Sequence, residues 1–322
     1  MEIVIEKKDS GKTVRDFLRG ELGFSAAYVK KLKFAPGGIL VNGVPVRVPH
    51  VLEAGDVLVL ATEDTEEDVS PYITAVDLPL PVLFEDDSLT VVNKPPDMPA
   101  HPSFGHRDDT AANALAFRYR ERPYVFRPVN RLDRDTSGVM LTANTKHAAY
   151  RMFLHMREGR IRKRYIAVTE GVPAARSGVI HTWMRRQAES IIIREICDST
   201  ADGAHEALTE YRVLADNGTH SVVLVSPLTG RTHQIRVHLT SLGCPLCGDT
   251  LYGQPSPYIG RHALHAVSTS FPHPDTEREM TVSAPLPEDM CALICALFSG
   301  EAEDVLASLS DFRFDSDFVF EE

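Results

Sequence analysis

The sequence predicts an α+β fold: a mixed, mostly antiparallel central sheet flanked by helices, preceded by a small α+β unit. Strand-like runs dominate the larger part of the chain. They are joined by hairpins rather than by the regular strand–helix–strand crossovers of a parallel sheet. Two Asn-Gly dipeptides, Asn42-Gly43 and Asn217-Gly218, sit between such runs, where a two-residue turn needs left-handed backbone. The acidic run Glu63-Asp64-Thr65-Glu66-Glu67-Asp68 separates residues 1–62 from the rest.

The small unit comes first. Within residues 13–22, Val14, Phe17, Leu18 and Leu22 fall at helical spacing. Ser25 stands where a cap is needed for a second helix through residue 33, with Tyr28, Val29 and Leu32 on one face. Two short strands follow about Asn42-Gly43, and Val57-Leu58-Val59-Leu60 reads as a last strand after Gly55-Asp56. Residues 63–80, acidic and then proline-containing, read as a linker.

The larger domain spans residues 81–286. Val82-Leu83-Phe84 and Leu89-Thr90-Val91-Val92 pair about Glu85-Asp86-Asp87. Ala149, Met152, Phe153 and Met156 form the apolar face of a helix that Gly159 stops. Residues 162–168 alternate as a strand, and residues 207–214 and 221–225 form a hairpin about Asn217-Gly218. Ile235, Leu239 and Leu242 share a face of a short helix ended by Gly243, and residues 264–271 make a further strand. Residues 287–322 are a helical segment followed by an acidic tail, expected to be loosely ordered at its end.

A hydrophobic content of 43% across 322 residues supports a sizeable core, and a charged content of 25% is ordinary for a globular chain. No apolar stretch is long enough to span a bilayer, and the first residues lack the basic and apolar regions of a signal peptide. A cytoplasmic protein is expected. Five cysteines, an odd number, fit free thiols in a reducing compartment. The net charge of −11 argues against a nucleic-acid binder until its distribution is read. Acid gathers at residues 63–68 and in the tail, whereas nine Lys or Arg stand against three Asp or Glu within residues 131–164.

The most informative stretch lies there: Asn130-Arg131-Leu132-Asp133-Arg134-Asp135-Thr136-Ser137-Gly138. It places Asp133 between two guanidinium groups, with Thr136, Ser137 and Gly138 as turn formers ahead of the apolar run Val139-Met140-Leu141. A carboxylate beside fixed positive charge stays ionised and usable as a nucleophile or base. The same arginines can hold phosphates.

This stretch closely resembles the signature loop of the RluA-type pseudouridine synthases, which isomerise uridine in structured RNA. Asn130 stands where that family commonly has His. Asn93-Lys94-Pro95-Pro96 with His101-Pro102 resembles the family's first motif, Asp97 replacing a common Gly. Lys163-Arg164-Tyr165 matches the second, and Thr229-Gly230-Arg231-Thr232-His233-Gln234-Ile235-Arg236-Val237-His238 the third. The segments 248–253, 261–266 and 273–274 follow in order, so the resemblance runs from about residue 82 to about residue 275. Residues 1–62 resemble the alpha-L RNA-binding domain. A Ser-Arg pair commonly opens the second helix there; here Ala26 follows Ser25, while Lys30, Lys31 and Lys33 remain.

The resemblance implies a pseudouridine synthase fold and a set of roles. Asp133 would be the essential carboxylate, Tyr165 would stack on the target uracil, and Arg236 would pair with Asp133. Ile235 would line the pocket, and Arg131 would enter the RNA where the flipped nucleotide leaves a gap. Arg134, Lys163, Arg231 and His233 complete the expected substrate-binding set. Isomerisation involves neither redox change nor hydrolysis, so no cofactor and no metal are expected.

The implied partner is structured RNA, and an alpha-L-type domain points to large-subunit ribosomal RNA; no membrane is involved and a monomer is expected. The alternatives are a transfer RNA pseudouridine synthase and a non-catalytic RNA-binding ribosome-assembly protein. A glycosidase would need a second carboxylate across the bond, and Asp135 is too close in sequence to serve. Cys244-Pro245-Leu246-Cys247 is a single C-x-x-C, a weak zinc signal even with His233 and His238 upstream. His262, His265 and His273 lack metal-hydrolase spacing.

Overall fold

The computed structural model describes residues 1–311 apart from residues 25, 36 and 63. The expected Ser25 cap, Glu63 of the acidic run and the end of the acidic tail lie outside the described residues.

The chain opens with β1 (Glu2–Val4), a turn of helix α1 (Val14–Asp16), α2 (Ala26–Phe34), β2 (Ile39–Val41), β3 (Val44–Pro45) and β4 (Val57–Leu60). The strands form an antiparallel sheet in the order β1-β4-β2-β3. Asn42 and Gly43 carry φ values of 53° and 78°, the backbone a two-residue hairpin requires. Thr13 caps α1 by accepting the Asp16 amide at 3.1 Å. The single helix expected over residues 13–22 instead widens into a π-turn over Phe17–Glu21, closed by the Leu22 amide on the Phe17 carbonyl. Gly20 lowers helix propensity there, and the turn buries Phe17 and Leu18 in a core of this unit's own with Ile5, Leu32 and Leu58.

Residues 64–80 pack against the larger domain. Asp64 accepts two bonds from Arg127 at 2.5 and 2.8 Å, and Asp68 pairs with Lys146 at 2.8 Å and with Lys31. Asn113 Nδ2 donates to the Thr74 carbonyl at 2.7 Å, and Ile73, Leu78 and Leu80 pack on the main core. The acidity read as a linker signal is counter-charge for half-buried cations.

The larger part runs β5 (Val82–Glu85), β6 (Leu89–Lys94), α3 (Ala111–Arg118), β7 (Ser137–Ala143), α4 (Lys146–Arg157), β8 (Arg162–Glu170), β9 (Ser177–Arg186), β10 (Arg194–Cys197), β11 (His205–Asp216) and β12 (His220–Pro227). It continues through α5 (Gln234–Ser241), β13 (Leu264–Pro272), β14 (Glu279–Ser283), α6 (Glu288–Leu297) and α7 (Ala302–Asp311). The sheet has the order β10-β9-β11-β12-β8-β13-β7-β6-β5, with β14 on β13. Only β13 and β7 run parallel among the described residues, where His265 meets Ser137 and Ala266 meets Gly138. The predicted mixed, mostly antiparallel α+β sheet is what forms.

Both faces of the sheet are covered at its centre. Tyr165 and Ala167 of β8 face α3 and α5, while Ile166 and Val168 face α6 and α7. The strand is therefore buried on both sides and does not show the expected alternation. In α4 the buried positions are His147, Ala148, Met152 and His155. The apolar face expected to include Phe153 and Met156 is turned, leaving them 54% and 38% exposed. Ser137 and Gly138 begin β7 instead of finishing a turn. A Cβ on Gly138 would lie 2.2 Å from the Ala266 carbonyl oxygen, so the close approach of β7 to β13 requires glycine. Among the described residues no helix is long and apolar enough to cross a membrane.

Candidate active site

The loop before β7 is pinned from three sides. Its own tight turn joins the Thr136 amide to the Asp133 carbonyl at 3.1 Å. Lys94, fully buried at the end of β6, donates its three N–H groups to the carbonyls of Pro95 at 2.7 Å, Met98 at 2.8 Å and Arg134 at 2.8 Å. The segment entering β13 supplies the rest. Arg261 donates to the Asp135 carbonyl at 2.9 Å, His262 meets the Thr136 hydroxyl at 2.8 Å, and His265 meets the Ser137 hydroxyl at 2.9 Å. Asn130 holds the strand itself, accepting the Leu141 amide at 2.7 Å. Burial pushes Lys94 down to about 7 and each of His262 and His265 down to about 4. The two histidines are neutral hydrogen-bonding struts at neutral pH.

The opposite wall is the start of α5. Arg236 is buried and gives Nε and Nη2 to the two oxygens of Asp249, each at 2.7 Å. Its remaining Nη1 faces Asp133 Oδ2 at 3.8 Å. Burial raises the Asp249 carboxyl, and the Arg236 guanidinium overrides it, so Asp249 sits below the usual carboxylate range. His233, with left-handed φ of 57°, presents Nε2 to Asp133 Oδ2 at 3.9 Å. Tyr252 Oη accepts the Arg194 amide at 2.8 Å and meets His233 Nδ1 at 2.9 Å. The tyrosine hydroxyl still has its proton to give, and donation to Nδ1 would leave the imidazole N–H at Nε2, on the Asp133 side. Burial lowers the His233 pKa against the pull of Asp133, which favours this neutral form.

Between these walls lies a cavity of about 490 Å³. Asp133, Tyr165, Arg236, Arg131, Arg134, Lys163, Ile235, Arg231 and His233 all line it, so every sequence-predicted site residue is gathered in one place. Tyr165 is buried, and burial, with the Asp133 charge, raises its pKa, keeping the phenol protonated. Burial also pushes the Lys163 amine below its ordinary value.

The charge arrangement differs from the expected one. Neither sequence neighbour pairs with Asp133. Arg134 turns to Asp135 at 2.9 and 3.0 Å and to Asp97 at 3.6 Å, and Arg131 is exposed at the cavity mouth. The cation at Asp133 is Arg236, whose principal partner is Asp249 rather than Asp133. The basic stretch around residues 131–164 is also divided: Lys146, Arg151 and Arg160 pair with Asp64, Asp68 and Glu277 outside the cavity. Lys94, Asp249, Tyr252, Arg261, His262 and His265 fall within the motif segments. A functional role for them had no signal beyond the order of those motifs.

Cys244 and Cys247 are buried free thiols, and burial pushes Cys247 up to about 12. Among the described residues no group of three or more His, Cys, Asp and Glu is placed to hold a metal ion.

The family model described as RNA pseudouridylate synthase matches residues 88–241. An uncharacterized RNA pseudouridine synthase of Bacillus subtilis is 40% identical over 284 residues, covering 88% of this chain and 98% of that protein. This chain belongs to the RNA pseudouridine synthases. It is an isomerase acting on RNA, as the resemblance of its motifs implied. The ribosomal large subunit pseudouridine synthase D of Vibrio cholerae is 35% identical to this synthase over 277 residues, covering 81% of this chain and 83% of that protein. The solved structure of human RNA pseudouridylate synthase domain containing 1 superposes on the synthase with a TM-score of 0.54 and 31% identity, over 65% of this chain and 84% of that one.

Proposed function

We propose that this synthase converts uridine to pseudouridine in large-subunit ribosomal RNA, with Asp133 as the essential carboxylate. One observation carries the assignment: Asp133 is the sole acid lining the cavity among the described residues, and it faces Tyr165, Arg236 and His233 there. Breaking the bond from ribose carbon 1′ to uracil nitrogen 1 builds positive charge on the sugar. A carboxylate can trap or stabilise that charge, or remove a sugar proton. Tyr165, protonated and buried, offers an aromatic face for a base drawn out of its stack; its raised pKa suits stacking better than proton removal. Arg236 Nη1, 3.8 Å from Asp133 Oδ2, is placed to orient that carboxylate. Arg131, Arg134, Lys163, Arg231, His233 and Ile235 complete the substrate wall.

Relatives named for the large ribosomal subunit support the substrate class. Residues 1–62 then serve as an RNA-binding unit, residues 63–80 as a docked connection and residues 81–286 as the catalytic domain. The same reading has the synthase acting as a cytoplasmic monomer without cofactor or metal. The test is tritium release from RNA labelled at uracil carbon 5, comparing unmodified ribosomal and transfer RNA. Release by wild type from ribosomal RNA, and none by Asp133→Asn with binding retained, is expected. Turnover by Asp133→Asn would refute the catalytic assignment, and preference for transfer RNA would refute the substrate class.

A further inference from the structure

A second cavity, of about 350 Å³, opens beside the first. Arg131, Arg185, Arg186, Arg194, Arg231 and His205 line it, and no Asp or Glu does among the described residues. Arg131 and Arg231 line both cavities, so the two adjoin across a shared wall. In a chain of net charge −11, five guanidinium groups around one groove run against the overall composition.

Strand register makes the accumulation costly. Arg186 of β9 lies directly opposite Arg194 of β10, whereas the next pair along sets Arg185 against Glu195. The second pair forms an ion pair at 2.7 Å; the first is two like charges, which destabilise an antiparallel pair. Arg194 Nη1 is held by neutral acceptors, the carbonyls of Ile191, Ile192 and Ile193 at 3.4, 2.8 and 3.2 Å, which position its charge without cancelling it. The side chains of Arg186 and Arg131 are exposed and make no hydrogen bond or ion pair among the described residues. The hairpin is also tied to the active site, because the Arg194 amide donates to Tyr252, which meets His233.

We propose that this groove is a subsite for backbone phosphates of the RNA strand flanking the target uridine. Arg186 and Arg194 grip from the hairpin, and Arg131 and Arg231 grip from the wall shared with the cavity of Asp133. Planar guanidinium groups match phosphate oxygens two at a time, and a groove of one charge concentrates the field on a polyanion. The inference rests on the reading that the uridine enters the first cavity.

The decisive variant is Arg186→Gln in the full chain, with Arg186→Lys beside it. Affinity for an unmodified large-subunit ribosomal RNA transcript is measured across a salt series, together with kcat, KM and the thermal midpoint. For Arg186→Gln, Kd and KM are expected to rise about three- to tenfold, and the salt slope to fall by roughly one. The kcat stays, and the thermal midpoint holds or rises because the Arg186–Arg194 repulsion is relieved. Arg186→Lys, which keeps the charge but not the planar fork, restores the salt slope and part of the affinity. Unchanged Kd and slope in Arg186→Gln, beside a wild type that binds, would overturn the subsite; so would lost affinity with a lowered midpoint and no rescue by Lys. Wild type that binds without turnover, with the Arg186→Gln loss intact, would remove the proposed chemistry and leave the subsite standing. Wild type that does not bind the transcript would remove both.

Discussion

Arg236 and Asp249 share two parallel hydrogen bonds in the interior, both 2.7 Å long, with side chains 6% and 0% exposed. The Asp249 Oδ1 atom also accepts the amides of Leu251 at 3.0 Å and Tyr252 at 3.2 Å. Asp249 thus fixes the guanidinium, and Asp133 meets only its third nitrogen. Asp249→Ala would leave a buried unpaired cation and should cost about 3–5 kcal/mol, read as a lowered urea midpoint. Asp249→Asn keeps the shape but loses the charge. It is expected to stay folded with a reduced kcat, and a wild-type kcat would limit Asp249 to packing.

Tyr252 is expected to set the proton on His233. Its hydroxyl accepts from the Arg194 amide and lies 2.9 Å from Nδ1; donation to that nitrogen would leave Nε2–H beside Asp133. Tyr252→Phe removes both bonds, at a cost of about 1–2 kcal/mol, and frees the imidazole to adopt the other tautomer. A fall in kcat of about tenfold is expected, equivalent to about 1.4 kcal/mol in the barrier. Nitrogen chemical shifts should report Nε2–H in wild type; Nδ1–H would contradict the assignment.

Lys163 predicts a pH dependence. Burial lowers its pKa, so the amine loses its charge at lower pH than an ordinary lysine. The charged form is the one that attracts phosphate. RNA affinity therefore falls as pH rises through the lowered pKa, and RNA binding should be accompanied by proton uptake. Measured from about pH 7 to about pH 10, wild-type Kd should rise more steeply than that of Lys163→Arg, in which the shared titration of Lys94 from about 7 remains. Parallel curves for the two proteins would assign the pH effect elsewhere.

Lys94 ties two loops together. Lys94→Met would orphan the carbonyls of Pro95, Met98 and Arg134, and a loss of about 3 kcal/mol or more is expected. Because Arg134 adjoins Asp133, kcat should fall further than RNA affinity. Lys94→Arg should not restore stability, since a planar fork cannot point at three converging carbonyls. Unchanged stability in Lys94→Met would show that the loops hold without it.

The sequence by itself determined the α+β class, the hairpins at Asn42-Gly43 and Asn217-Gly218, the family, and the nine residues that line one cavity. These are local or ordered properties: left-handed backbone at a turn needs Asn or Gly, and motif order survives without knowledge of contacts. Tertiary structure decided which charges meet. Arg236 was expected at Asp133, yet Asp249 holds it, and Arg134 turns to Asp135. Lys94 reaches Arg134, His262 reaches Thr136, and the acids of residues 64–68 reach Arg127 and Lys146, all across long stretches of chain. The opposed pair Arg186–Arg194 follows from strand register alone. A guanidinium or ammonium takes the acceptor that folding places within about 3 Å in good geometry, and spacing along the chain does not encode that distance.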